Sequence, residues 1–141
     1  SEKLDKDGQV AFTKELKSRS KNGGDSIIYD PVGDCFSEPA LRSIGWAGTY
    51  LVVGFAAGKI PSFPANLMLL KVCAISSVFI GRFKKEEPTV YAKNLNTIGK
   101  LLADGKINPL ISKTVPMKDA VSSIEDIAKR KVLGKIVFLN N

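Results

Sequence analysis

The segment Gly48-Thr49-Tyr50-Leu51-Val52-Val53-Gly54-Phe55-Ala56-Ala57-Gly58 decides the fold class. β-Branched and aromatic side chains dominate Thr49 to Phe55, which favours an extended chain, and Gly54 falls near the end of the run. An earlier apolar run, Ser26-Ile27-Ile28-Tyr29, likewise passes into Asp30-Pro31-Val32-Gly33. Two strands that each enter a glycine-containing turn are how a parallel sheet presents open backbone to a ligand at its carboxyl edge.

Between these strands Phe36, Ala40, Leu41 and Ile44 recur at helical spacing and predict a short crossover helix. Upstream, Val10, Phe12 and Leu16 give a helix over 9–20 that stops at Asn22-Gly23-Gly24, and residues 1–8 read as a loop or fragment boundary. Downstream, Pro61 and Pro64 punctuate a loop, Leu67 to Leu70 forms a helical turn, and Val72 to Phe79 is a third strand. The amphipathic helix Pro88 to Ala103 carries Tyr91, Leu95, Ile98 and Leu102 on one face. A second helix, Met117 to Arg130, repeats the pattern with Val121, Ile124 and Ala128, with Pro116 suited to its first turn. Strands at Leu110 to Val115 and Ile136 to Leu139 flank it.

This order predicts an α/β fold: a partial doubly wound, Rossmann-like parallel sheet followed by a carboxyl-terminal return segment. The expected division is residues 1–105, the later half of a dinucleotide-binding domain, and residues 106–141, the return segment. A complete dinucleotide fold has a leading half with the pyrophosphate loop, and no Gly-x-Gly-x-x-Gly occurs in this sequence.

Composition narrows the function classes. A chain of 141 residues with 44% hydrophobic side chains suits a folded core rather than global disorder. The net charge of +7 is spread over short groups such as Arg82-Lys84-Lys85 and Lys129-Arg130-Lys131, which read as solvated faces and do not establish specific nucleic-acid binding. With no histidine and only Cys35 and Cys73, an ordinary Cys/His zinc site cannot be assembled from this chain, and no metal site is expected. The two thiols read as free in a reducing compartment. No apolar stretch is long enough to predict membrane insertion, and the charged start is no secretory signal. The resulting expectation is a cytoplasmic location, with an organelle also open.

The ordered series Tyr29-Asp30-Pro31-Val32-Gly33, Gly54-Phe55-Ala56-Ala57-Gly58, Pro61-Ser62-Phe63-Pro64-Ala65-Asn66-Leu67 and Phe79-Ile80-Gly81 resembles the carboxyl-terminal half of zinc-independent quinone oxidoreductases. These belong to the medium-chain dehydrogenase/reductase superfamily. The resemblance runs from about Gly23 to Phe138. It implies NADPH as cofactor, with NADH second, and a small quinone or activated carbonyl or alkene as substrate. It also implies a homodimer joined through residues 72–79.

The resemblance assigns cofactor contacts to backbone of Val32 and Gly33, to Gly54, Phe55 and Ala56, to Phe79, Ile80 and Gly81, and to Arg130. Chemically, Gly54 lets a planar ring approach the main chain and Phe55 supplies an apolar wall. Ile80 stands where the family usually has an aromatic residue. Each position also has a plain structural reading, as strand-ending turn, core side chain or surface charge. No catalytic acid or nucleophile is assigned: without histidine no Ser/His/Asp triad forms, and hydride transfer depends chiefly on positioning. The alternative function is a non-catalytic dimerisation or regulatory fragment paired through the 72–79 edge.

Overall fold

A computed structural model describes residues 4–21 and 23–140. Residues 1–3, Asn22 of the predicted helix stop and Asn141 lie outside the described residues. Packing divides the chain into two compact units, residues 1–83 and 84–141.

The first unit opens with α1 (Lys6–Arg19), which starts three residues before the predicted helix. Asp5 is the reason: its side chain accepts the Gly8 N–H at 2.7 Å and satisfies one of the otherwise unpaired first-turn donors. Strand β1 (Asp25–Asp30) follows, then a 3-10 turn over Asp34–Phe36 and α2 (Ser37–Ser43). Strand β2 (Ile44–Val52), α3 (Ala65–Lys71), β3 (Ala74–Ser77) and the start of α4 (Ile80–Glu86) complete the unit.

The three strands form one sheet in the order β1-β2-β3, and both pairings are parallel. Ile28, Tyr50 and Ile75 stand in register, as do Asp30, Val52 and Ser77. The shared strand direction places all three carboxyl ends at one edge of the sheet.

The core sits on the face carrying Ile28, Tyr50 and Ile75. Ala40, Leu41, Ile44, Tyr50 and Leu67 are its buried members, with Leu16, Val52 and Phe63 packed against them. Burying a side chain such as Leu41 or Ile44 contributes about 1.5–3 kcal/mol. Helix α1 joins this core through Leu16, through the Thr13 hydroxyl donating to the Pro39 carbonyl, and through the edge-to-face pair Phe12–Phe36. The opposite sheet face leaves Ile27 and Tyr29 exposed.

Strand β2 begins five residues before the predicted Thr49 and ends three before Phe55. Between Ile44, opposite Asp25, and Thr49, opposite Ile27, the chain bulges through Ala47, whose φ of 56° is left-handed. The strand ends at Val52 because the next two amides, of Val53 and Gly54, both turn to the Asp30 carbonyl. Strand β3 is shorter than 72–79 at both ends. Val72 caps α3 in a left-handed conformation, and beyond Val78 the Phe79 carbonyl accepts from Phe83 as α4 begins.

The second unit contains α5 (Pro88–Ala103), β4 (Ile111–Pro116), a 3-10 turn over Met117–Asp119, α6 (Ala120–Ala128) and β5 (Lys135–Leu139). Strands β4 and β5 pair in parallel, joined by the crossover α6, as the strand–helix–strand reading requires. Pro116 closes β4 instead of opening the helix, and α6 stops two residues before Arg130, which has a positive φ of 56°. Lys113 on β4 reaches Asp126 on α6 at 2.9 Å. Gly134 (φ 79°) opens β5 beside Leu110, where any Cβ would overlap the Leu110 carbonyl.

Candidate functional site

The site is built at the carboxyl edge of β1, β2 and β3. Leaving β1, the chain turns at Pro31-Val32-Gly33; leaving β2, it turns at Val53-Gly54-Phe55-Ala56; leaving β3, it passes through Val78-Phe79 into α4. Main-chain hydrogen bonds lace the first two turns together: Ala56 N–H donates to Pro31 O at 3.1 Å and Ala57 N–H to Val32 O at 2.9 Å. Val78 N–H, bonded to Val52 O at 2.9 Å, ties the third segment to the second.

One side chain organises this edge, and the sequence reading did not identify it. Asp30 is buried, only 8% exposed as a residue. Its Oδ1 accepts the N–H groups of Val32 and Gly33 at 2.8 and 2.9 Å, and its Oδ2 accepts the hydroxyls of Ser37 and Tyr50 at 2.7 and 2.5 Å. Val32 and Gly33, whose backbone the resemblance assigns to the cofactor, are thus bonded to Asp30. Their amides are occupied inward, and the loop turns the Val32 side chain outward.

Burial alone raises the Asp30 pKa, but the four donors, Tyr50 foremost, outweigh it and hold the carboxyl below its ordinary 3.8. Burial and the neighbouring carboxylate push the Tyr50 phenol well above its ordinary 10.0. The signs define a pH window. The lowered Asp30 pKa contributes stability that is present above about pH 4 and lost as pH falls through the folded value. The raised Tyr50 pKa contributes stability present below about pH 10 and lost as pH rises through its folded value.

Tyr50→Phe should therefore lower stability by about 2 kcal/mol at neutral pH, since a hydrogen bond to a buried charged group is removed without a replacement. It should also weaken the acid dependence below pH 4, because the Asp30 pKa then rises toward its unfolded value. Urea unfolding midpoints at pH 7 and pH 3 check both effects. Equal loss at the two pH values would contradict the assigned coupling.

The predicted contacts divide by unit. Val32, Gly33, Gly54, Phe55 and Ala56 fall on the first two turns of this edge, and Phe79, Ile80 and Gly81 on the segment that leads from β3 into α4. Phe55 is 40% and Phe79 71% exposed, and Ile80 is also exposed, so the edge carries an apolar rim. The 79–81 segment is not an open turn: Ile80 and Gly81 form the first residues of α4. Arg130 belongs to the second unit, in the turn after α6, where its N–H donates to Ile127 O. Glycine at 54 answers a close approach, because a Cβ there would sit 3.3 Å from the Pro31 carbonyl oxygen.

The comparisons with known proteins agree with this architecture. The family model described as zinc-binding dehydrogenase matches residues 3–138. Quinone oxidoreductase-like protein 2 from Bos taurus is 34% identical over 118 residues, covering 83% of this chain and 34% of the relative. The Mus musculus protein of the same name is 32% identical over 131 residues, covering 92% and 37%. The chain thus spans about a third of the length of these curated relatives.

Among solved structures, a mycobacterial protein complexed with NADPH superposes with a TM-score of 0.76 at 20% identity, over 97% of this chain and 41% of that one. A quinone oxidoreductase from Pseudomonas syringae gives 0.73 at 16% identity, over 91% and 39%. At these identities the structures establish the shared fold, a Rossmann-like α/β domain.

The family's name implies a zinc site. Among the described residues no three His, Cys, Asp or Glu side chains come together, and the sequence holds no histidine. Cys35 accepts an N–H from Leu4 through its sulfur, and Cys73 packs against the core. These side chains do not form a zinc-ligand set. The family model covers nearly the whole chain, and the chain belongs to the zinc-binding dehydrogenase family of oxidoreductases.

Proposed function

We propose that this chain is the carboxyl-terminal part of an NADPH-dependent, zinc-independent oxidoreductase that reduces quinones or related activated carbonyl or alkene compounds. In this reading residues 1–105 are the later half of the dinucleotide domain and 106–141 the return segment to the catalytic domain. The observation that carries it is the convergence of three parallel strand ends on one edge, where Gly54 packs against the Pro31 carbonyl and the exposed Phe55, Phe79 and Ile80 form an apolar rim. The mycobacterial relative in fold was solved with NADPH, and the curated relatives carry the quinone oxidoreductase-like name.

When bound, the cofactor supplies the hydride. This chain's residues position and shield it: the 54–56 backbone gives a ring close approach, Phe55 and Ile80 exclude water, and Val32 borders the same edge. Arg130, as a cation, is the residue proposed to meet the adenosine-side phosphate. NADPH is preferred over NADH on the strength of the family resemblance.

The edge of β3 supports a homodimer, since among the described residues Ala74–Ser77 pairs with β2 on one side only and a second copy can pair with the other. The same observation favours the competing reading, a dimerisation or regulatory fragment without catalysis.

NADPH oxidation by the complete protein with a quinone acceptor, measured beside its mass by light scattering, separates the two. Turnover by a dimer is expected. A dimer that neither binds nor oxidises NADPH would support the regulatory reading, and a monomer would overturn the proposed 72–79 interface.

A further inference from the structure

Asp30 stands where β1 leaves the sheet, and each oxygen it carries is committed. Its carboxylate holds the Val32 and Gly33 amides, while its main-chain carbonyl accepts Val53 N–H at 2.9 Å and Gly54 N–H at 3.3 Å. One residue therefore fixes the first turn through its side chain and the second through its backbone. Gly33, set in this way at φ 75°, lies against the second turn: a Cβ there would meet the Phe55 ring at 3.1 Å and the Lys59 carbonyl at 3.2 Å.

The remaining oxygen of the carboxylate is anchored from the opposite side. Ser37 opens α2 and Tyr50 lies within β2, so the clamp is referenced to the rigid core and not to the loops it holds. With four donors and little exposure, the carboxylate has no direct reach to a ligand.

We propose that Asp30 is a positioning residue of the cofactor site, a clamp that fixes Gly33 through its carboxylate and Gly54 through its carbonyl and so sets where the Phe55 ring stands. This rests on reading the edge as the nicotinamide side of a dinucleotide site. Asparagine at 30 keeps one oxygen for the two loop amides, and the hydroxyls of Ser37 and Tyr50 can rotate to accept from its NH2 group. Alanine keeps neither function. The two substitutions therefore separate loop geometry from charge.

The test uses the complete protein carrying Asp30→Asn or Asp30→Ala, with NADPH titrated by calorimetry and exchange of the Val32 and Gly33 amides followed without cofactor. Asp30→Ala is expected to weaken NADPH binding by about tenfold or more, as misplacement of a positioning loop does, and to speed exchange of both amides. Asp30→Asn should recover most of the affinity and most of the amide protection. If Asp30→Ala does not fold, Asp30→Ser, with one short acceptor, takes its place under the same expectations. Unchanged affinity in the folded alanine or serine variant, with only the melting temperature lowered, would overturn the clamp and leave the nicotinamide-edge reading standing. No NADPH binding by the unsubstituted protein would overturn both.

Discussion

Gly54→Val in the complete protein is expected to lower kcat/KM for NADPH by about 100-fold, the scale of loss when reacting groups are displaced by about an ångström. The cause lies in the backbone. The first added carbon at residue 54 would already sit 3.3 Å from the Pro31 carbonyl oxygen, and that carbonyl cannot turn aside freely because it accepts from Ala56. Valine adds two further carbons with little rotamer choice, so the two turns must separate. Their separation moves Phe55 and the 54–56 backbone together, which are the parts proposed to border the reacting ring. Lys21→Ala, at an exposed position between α1 and β1, should leave the rate within about twofold, as surface substitutions away from packed features do. Steady-state NADPH oxidation on both variants, with folding confirmed by circular dichroism, checks the contrast. Normal kinetics in a folded Gly54→Val protein would remove this edge from the reaction.

The parallel sheet was legible because its signals are local. The apolar runs at Ile27-Ile28-Tyr29 and Thr49 to Val53, each followed by a glycine turn, and the helical spacing of Phe36, Ala40, Leu41 and Ile44 lead to the observed β1-α2-β2 order. Helix α5 ends where Pro88 and Asp104-Gly105 place its limits. Boundaries failed where a single cap or bulge decides them. Asp5 extends α1, and the left-handed Ala47 and Val72 reshape β2 and β3, although neither alanine nor valine advertises that conformation in a sequence.

The Asp30 network was half legible. A tyrosine amid apolar strand residues requires a partner for its hydroxyl, and in a parallel pair Tyr50 faces Ile28, placing Asp30 on the same sheet face one step along. That inference needs the register, which periodicity does not supply. Helix α4 was missed because Phe79 was assigned to the strand 72–79 and Ile80-Gly81 only to a cofactor contact, while the Phe79 carbonyl in fact accepts the Phe83 amide as the helix begins.

The isolated 141-residue chain is expected to bind NADPH at least about 1,000-fold more weakly than the complete protein, a difference of about 4 kcal/mol. Its edge turns hold only the apolar walls and backbone proposed for the nicotinamide side. The strongest anchor of a dinucleotide is the pyrophosphate held by a glycine-rich turn at a helix start, and these 141 residues contain no Gly-x-Gly-x-x-Gly. A partial site still carries the cost of ordering the ligand, so affinity falls faster than the number of contacts.

Calorimetric titration of NADPH into the 141-residue chain and into the complete protein, in one buffer, tests directly whether this chain supplies the nicotinamide side of a shared site. Tight binding by the complete protein with at least about a 1,000-fold deficit in the chain is the expected result. Comparable affinity in the two samples, or no binding by the complete protein, would contradict it.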